Sequence, residues 1–240
     1  MAERHIRIVH PVTEAEPFAV IYKPAGLPSA PLAAGEDSAY TQATSLYPQL
    51  SSVIGRKAVE HGLLHRIDTA TEGILLLAAT QQFYEHIVKA QDEGKFCKTY
   101  LAQCQRYTEQ MLQGFPPPPV AMGNAELRTL SVSSRFRPYG EKGREVRPVI
   151  EASGRAALKK ASPHIYTTHI EFRDTAQHSV FCTIQKGYRH QVRCHLAWLG
   201  FPIIGDKVYN VQNTGEFLFK AYGISFPDLY SDKILHYHID

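Results

Sequence analysis

The tightest constraint on the fold is one uninterrupted apolar run, Ile74-Leu75-Leu76-Leu77-Ala78-Ala79, entered through Gly73. A run of that length behind a turn residue suits a strand buried on both faces better than a helix. The stretch before it is polar, His65-Arg66-Ile67-Asp68-Thr69-Ala70-Thr71-Glu72. A short loop carrying Asp68 is therefore mounted on a core strand, and polar loops on rigid elements are where binding and catalytic groups concentrate. Taken alone, Asp68 fits a turn cap or a surface partner of Arg66 equally well.

The flanking chain supplies the rest of a scaffold. Residues 5–10 and 18–22 read as short strands around an acidic turn. They lead into Lys23-Pro24-Ala25-Gly26-Leu27-Pro28, a loop fixed by its prolines and freed at its glycine. Residues 38–47 suit a short helix. Thr80 caps a helix reaching about Glu93, with Phe83, Ile87 and Ala90 on one face and Gly94 just past the end. Residues 96–104 alternate as a strand that carries Lys98, Tyr100 and Ala102, and residues 165–172 and 179–185 form a hairpin around a polar turn. From Lys186 to Ala197 a basic amphipathic helix opens, with Val192, Leu196 and Leu199 toward the core. A helix start rich in Arg, His and Gln offers donors to an anion.

Residues 111–150 read as irregular. Pro116 to Pro119 exclude helix and central strand and favour an extended segment. Between Arg135 and Lys160 stand eight Lys or Arg against three Glu, interleaved with Phe136 and Tyr139. That stretch suits a solvated face and a phosphate backbone equally. The whole chain of 240 residues has a formal charge of only +3, so distribution matters more than the total.

Several classes are excluded or disfavoured. No apolar run approaches the roughly 18 residues of a membrane span, and residues 1–9 lack a signal-peptide core. Cys97, Cys104, Cys182 and Cys194 form no CxxC pair and read as reduced thiols of a cytosolic protein. His61 and His65 lack the adjacent Glu of the zinc-protease pattern, and His190 and His195 share a helix face poorly, so no metal is expected. No complete GxGxxG or Walker A pattern calls for a nucleotide cofactor.

The stretch His65-Arg66-Ile67-Asp68-x-x-Thr71-Glu72-Gly73 resembles the signature of the RluA-type pseudouridine synthases, which reads His-Arg-Leu-Asp, two variable residues, Thr-Ser-Gly, then an aliphatic strand. The departures are Ile67 for Leu and Glu72 for Ser. Lys23-Pro24-Ala25-Gly26 matches the family's opening loop, and Lys98-x-Tyr100-x-Ala102 its second motif. Gly187, His190, Gln191, Arg193, His195, Leu196 and Ala197 match the third, with Lys186 for Thr and Tyr188 for Arg. Gly200 to Tyr209 and Phe217 to Pro227 continue the pattern, with Lys220 where His is common.

The resemblance implies the α+β pseudouridine-synthase fold, a mainly antiparallel mixed sheet flanked by helices with a central RNA-binding cleft. It implies one catalytic domain over 1–240, with a Pro-rich basic insertion at about 111–150 and no S4-type RNA-binding domain. The implied activity is isomerisation of a uridine in tRNA or rRNA, flipped from a loop or stem-loop, without a cofactor, by a cytoplasmic monomer. By resemblance Asp68 is the nucleophile, Tyr100 packs on the base and Arg193 grips the carboxylate. Arg66, His65, Arg189, His190 and Gln191 are the expected RNA contacts. The rival reading is an inactive RNA-binding protein of the same fold.

Overall fold

Residues Glu72–Ala78 form a strand buried on both faces, as the apolar run requires. The computed structural model describes residues 4–31, 33, 35–57, 59–109, 112–124, 126–174, 179–213 and 215–239. In chain order its strands are β1 (Arg7–His10), β2 (Phe18–Lys23), β3 (Glu72–Ala78), β4 (Cys97–Gln103) and β5 (Thr129–Tyr139). Then come β6 (Glu145–Val149), β7 (Tyr166–Asp174), β8 (Ser179–Ile184), β9 (Phe219–Pro227) and β10 (Ile234–His238). The helices are α1 (Ala39–Leu46), α2 (Gln81–Asp92), α3 (Arg155–Lys159) and α4 (Gln191–Trp198). They fall into two compact units, Met1–Lys98 with Lys220–Asp240, and Thr99–Phe219.

In the first unit β1, β2 and β3 are antiparallel neighbours, with Lys23 opposite Gly73 and Phe18 opposite Ala78. The start of β3 also meets β9 in parallel, Glu72 beside Lys220 and Gly73 beside Ala221, before β9 turns to pair β10. Helix α2 covers this sheet. The Thr80 side chain accepts from the Phe83 amide at its N-terminus, which satisfies one of the orphan donors of the first turn. Phe83, Tyr84 and Ile87 pack with Phe18, Ile74, Leu76, Phe96 and Phe226. Burying each such side chain stabilises by about 1.5–3 kcal/mol before chain entropy is counted. Helix α1 begins at Ser38, whose hydroxyl and the Thr41 side chain cap each other's backbone.

In the second unit the neighbour order is β4, β8, β7, β5, β6. The β7–β8, β5–β7 and β5–β6 pairs are antiparallel. Helix α4 lies against β6 and β7. Of the turn between β7 and β8, residues 175–178 lie outside the described residues. The irregular region expected at 111–150 is corrected here, because residues 129–149 are largely a β-hairpin. Its alternation is concealed by Ser134, which is buried at a core-facing position of β5 between Val132 and Phe136. Among the described residues strand β6 pairs only with β5, so Pro148, which lacks an amide donor, is tolerated on an edge. The Pro-rich segment is anchored rather than loose: Trp198 Nε1 donates to the Pro116 carbonyl at 2.9 Å. Within each unit the organisation is α+β, with few and short helices. No helix among the described residues is long and apolar enough to cross a membrane.

Candidate active site

In the first unit the Asp68 loop is fixed by its own backbone. The Thr71 amide donates to the Asp68 carbonyl (3.0 Å), and the Gly26 amide to that of Thr69 (2.7 Å). Ser29 Oγ donates to the Ile67 carbonyl (2.8 Å) and accepts from the Ile67 amide (3.1 Å). Lys23 is wholly buried, and its Nζ donates to the carbonyls of Leu27 (2.7 Å), Pro24 (3.0 Å) and Thr69 (3.3 Å). One ammonium thus staples the Lys23–Pro28 loop to the Asp68 loop. Burial pushes the Lys23 pKa down to about 8, while the charges of Asp68 and Glu72 oppose that drift. At the exit, Gly73 has φ +131°, and a Cβ there would stand 2.2 Å from the Ala221 carbonyl oxygen. Only glycine permits that approach.

Asp68 itself is half-buried. His65 takes a frame role: its Nε2 accepts from the Leu76 amide at 3.2 Å, and its ring lies 5.4 Å from that of Phe96. Burial first, and the Lys98 charge second, lower its pKa to about 3. His65, an expected RNA contact, is thus a neutral imidazole bonded to a strand amide. Arg66 is exposed and pairs with Glu60 at 2.9 Å, a surface pair worth at most about 1 kcal/mol that leaves it recruitable. Glu72 is held by two donors, Tyr22 OH to Oε2 at 2.7 Å and Lys220 Nζ to Oε1 at 2.8 Å. Burial alone would raise its carboxyl, but Lys220 and Tyr22 hold it below the ordinary range.

In the second unit, Tyr100 on β4 stacks on Phe219, with centroids 5.2 Å apart and planes 9° apart. Helix α4 presents Arg193, 7% exposed. Its Nε and Nη2 donate to the two carboxylate oxygens of Asp206 at 2.8 and 2.7 Å, and its guanidinium lies 5.1 Å from the Phe217 ring centre. Asp206, 1% exposed, also accepts the Val208 and Tyr209 amides. Sequence reading missed Asp206, although it stands in the matched segment Gly200 to Tyr209. The forked geometry expected of Arg193 is made with this carboxylate.

The helix start is also largely framework. Gln191, 2% exposed, donates to the Thr167 carbonyl and Thr168 Oγ1 and accepts the Tyr188 amide. Both ends of the amide of Gln191, an expected RNA contact, are engaged within the unit. His190 adopts φ +57°, its Nδ1 3.3 Å from Tyr209 OH. Tyr188, the departure from Arg, packs on Phe136 at 5.1 Å. Arg189 is exposed, and its Nη2 donates to the carbonyls of Gly143 (2.8 Å) and Arg144 at the β5–β6 turn. Within the basic stretch, Arg147 and Phe136 belong to the core. Arg147 pairs with Glu145 and lies 4.3 Å over Tyr139, and Phe136 is fully buried. Arg135, Lys142, Arg144, Arg155, Lys159 and Lys160 stay exposed.

His195 is fully buried, with Nε2 2.9 Å from Ser134 Oγ and Nδ1 2.8 Å from Thr168 Oγ1. Burial lowers its pKa from 6.5 to about 3. Between those values the unfolded chain takes up a proton that the folded chain refuses, so stability falls as pH drops from 6.5 toward 3. His195→Gln is expected to remove about one proton from the pH slope of second-unit unfolding in that window. The chain's single tryptophan, Trp198, reports that unfolding by fluorescence. An unchanged slope refutes the assignment. Among the described residues, no group of three His, Cys, Asp or Glu is placed to hold a metal ion.

The family model described as RNA pseudouridylate synthase matches residues 17–198. An uncharacterised RNA pseudouridine synthase of Chloroflexus aurantiacus is 30% identical over 190 residues, covering 75% of this chain and 50% of the relative. A ribosomal large subunit pseudouridine synthase D of Zymomonas mobilis is 27% identical over 199 residues, covering 82% and 55%. The solved structure of human RNA pseudouridylate synthase domain containing 1 shares the fold at a TM-score of 0.65 and 17% identity, covering 99% of this chain and 84% of that one. The chain belongs to the RNA pseudouridylate synthase family. It spans about half the length of the curated relatives it matches.

Proposed function

We propose that this chain isomerises uridine to pseudouridine within RNA, with Asp68 as the nucleophile. The observation that carries the reading is the Asp68 loop. Its backbone is fixed at Ile67, Asp68 and Thr69 by Ser29, Thr71, Gly26 and Lys23, so the carboxylate is carried on a loop with a fixed backbone. Such preorganisation is what covalent catalysis needs. In the reaction the bond from ribose C1′ to N1 breaks and one from C1′ to C5 forms, the C5 hydrogen leaves as a proton and N1 takes one up, and the bond that Asp68 makes to the nucleotide is broken again to free the carboxylate. No electrons are gained or lost.

Arg193 supplies the cation that favours an ionised nucleophile, and Tyr100 packs on the displaced base; stacking of that kind is worth about 1–3 kcal/mol. Charge supports an RNA substrate: the second unit carries 15 Lys or Arg against 9 Asp or Glu, and the first 11 against 14. The net +6 of the second unit suits a phosphate backbone. Arg66 and Arg189, with His190, are the proposed backbone contacts. The substrate is a loop uridine of tRNA or rRNA, because an unpaired base leaves its stack most cheaply. A cytoplasmic location fits the free thiols of Cys97, Cys104, Cys182 and Cys194, and the chain is proposed to act as a monomer.

Tritium release from C5-labelled uridine in tRNA and rRNA tests the reading, since only chemistry at C5 frees that hydrogen. The expected result is release from one RNA class. Binding without release from any class favours the inactive RNA-binding protein.

A further inference from the structure

Glu72 and Lys220 are two departures from the family motifs, and the structure brings them together. They form the first rung of the parallel β3–β9 ladder, and their side chains meet at 2.8 Å. That ladder has only two rungs, Glu72 with Lys220 and Gly73 with Ala221. It lies directly after the Asp68 loop, whose closing bond runs from the Thr71 amide to the Asp68 carbonyl. Tyr22 on β2 reaches the other Glu72 oxygen at 2.7 Å. Three strands are therefore tied through one carboxylate at the loop's exit.

We propose that Lys220 is a positioning residue for the reaction, acting with Tyr22 through Glu72 to hold the Asp68 loop and to cancel the charge that Glu72 adds beside it. The proposal rests on Asp68 being the nucleophile. Two physical demands meet at this point. A two-rung ladder fixes strand register weakly, so side-chain bridging carries much of the constraint. Glu72 also adds a second negative charge at the exit of the Asp68 loop, and the Lys220 ammonium 2.8 Å away balances it. The charged and titratable groups set against Glu72 are Lys220 from β9 and Tyr22 and Lys23 from β2, and Lys23 also feels the charge of Asp68. Arg7 from β1 lies 5.0 Å over the Tyr22 ring. Lys23 already carries both carboxylates while spending its donors on three carbonyls, which leaves Lys220 as the dedicated counter-charge.

The test is a cycle of Lys220→Met, Glu72→Ser and the double variant, with Lys220→Arg as the conservative control, in the tritium-release assay across pH. Lys220→Met is expected to lower kcat about tenfold, keep KM within about twofold and move the acid limb of the profile upward, as coupled neighbours of this kind do. Removing the stranded carboxylate in the double variant restores kcat and the acid limb toward wild type, and Lys220→Arg retains both. A merely structural pair loses stability without moving the acid limb. Lys220→Met with a wild-type profile overturns the proposal, as does a double variant no better than Lys220→Met. If Lys220→Met fails to fold, the double variant and Lys220→Arg decide in the same way. Wild-type protein that releases no tritium from any RNA fails the functional reading itself and takes this proposal with it.

Discussion

Asp68→Asn is expected to lower tritium release by at least about three orders of magnitude, since the amide is no nucleophile. Folding and RNA affinity remain near wild type. The separation follows from which atoms hold the loop. The closing bonds use the carbonyls of Ile67, Asp68 and Thr69, and an Asn of the same shape keeps all of them. One side effect is foreseen: Lys23 loses the carboxylate charge that supports its protonated form, so its pKa falls further below about 8. Asp68→Ala, which cannot revert by deamidation, should behave as Asn does. Measured by tritium release and by filter binding at fixed salt, either variant with more than about 1% of wild-type turnover removes Asp68 from the chemistry. Loss of RNA binding in both variants would instead make Asp68 a structural residue.

Much of this arrangement was legible along the chain because it is local. The apolar run after Gly73 specified β3, and Thr80 with the spacing of Phe83, Ile87 and Ala90 specified α2. The motif residues were found by resemblance, but their partners lie far off in sequence. Nothing near Arg193 announces that its fork closes on Asp206, and the pairing of Glu72 with Lys220 spans most of the chain. The hairpin of β5 and β6 was hidden for a related reason. Ser134 faces the core only because the His195 ring meets it, and Arg147 is buried only because Glu145, Tyr139 and Phe115 receive it. Polar residues that are satisfied by distant polar residues break the alternation on which strand reading depends. Gln191 and His65 show the converse: polar side chains in a functional motif that are consumed by the frame.

Asp206→Ala is expected to destabilise the second unit by about 3–5 kcal/mol, the range for breaking a buried ion pair from one side. The carboxylate accepts both arms of the Arg193 fork and the amides of Val208 and Tyr209. Its loss strands a nearly buried guanidinium and two amides. Urea unfolding followed through Trp198 measures the change, and a loss under about 1 kcal/mol contradicts the account. A second variant separates stability from chemistry. Arg193→Met with Asp206→Leu removes both charges and fills similar volume, an exchange that often costs little in buried pairs. That double variant should therefore recover much of the stability lost in Asp206→Ala, yet release no tritium if Arg193 has the catalytic role proposed for it. A double variant that is stable and active would show that Arg193 serves the fold alone. One that is as unstable as Asp206→Ala would show that the two amides, rather than the stranded charge, set the cost.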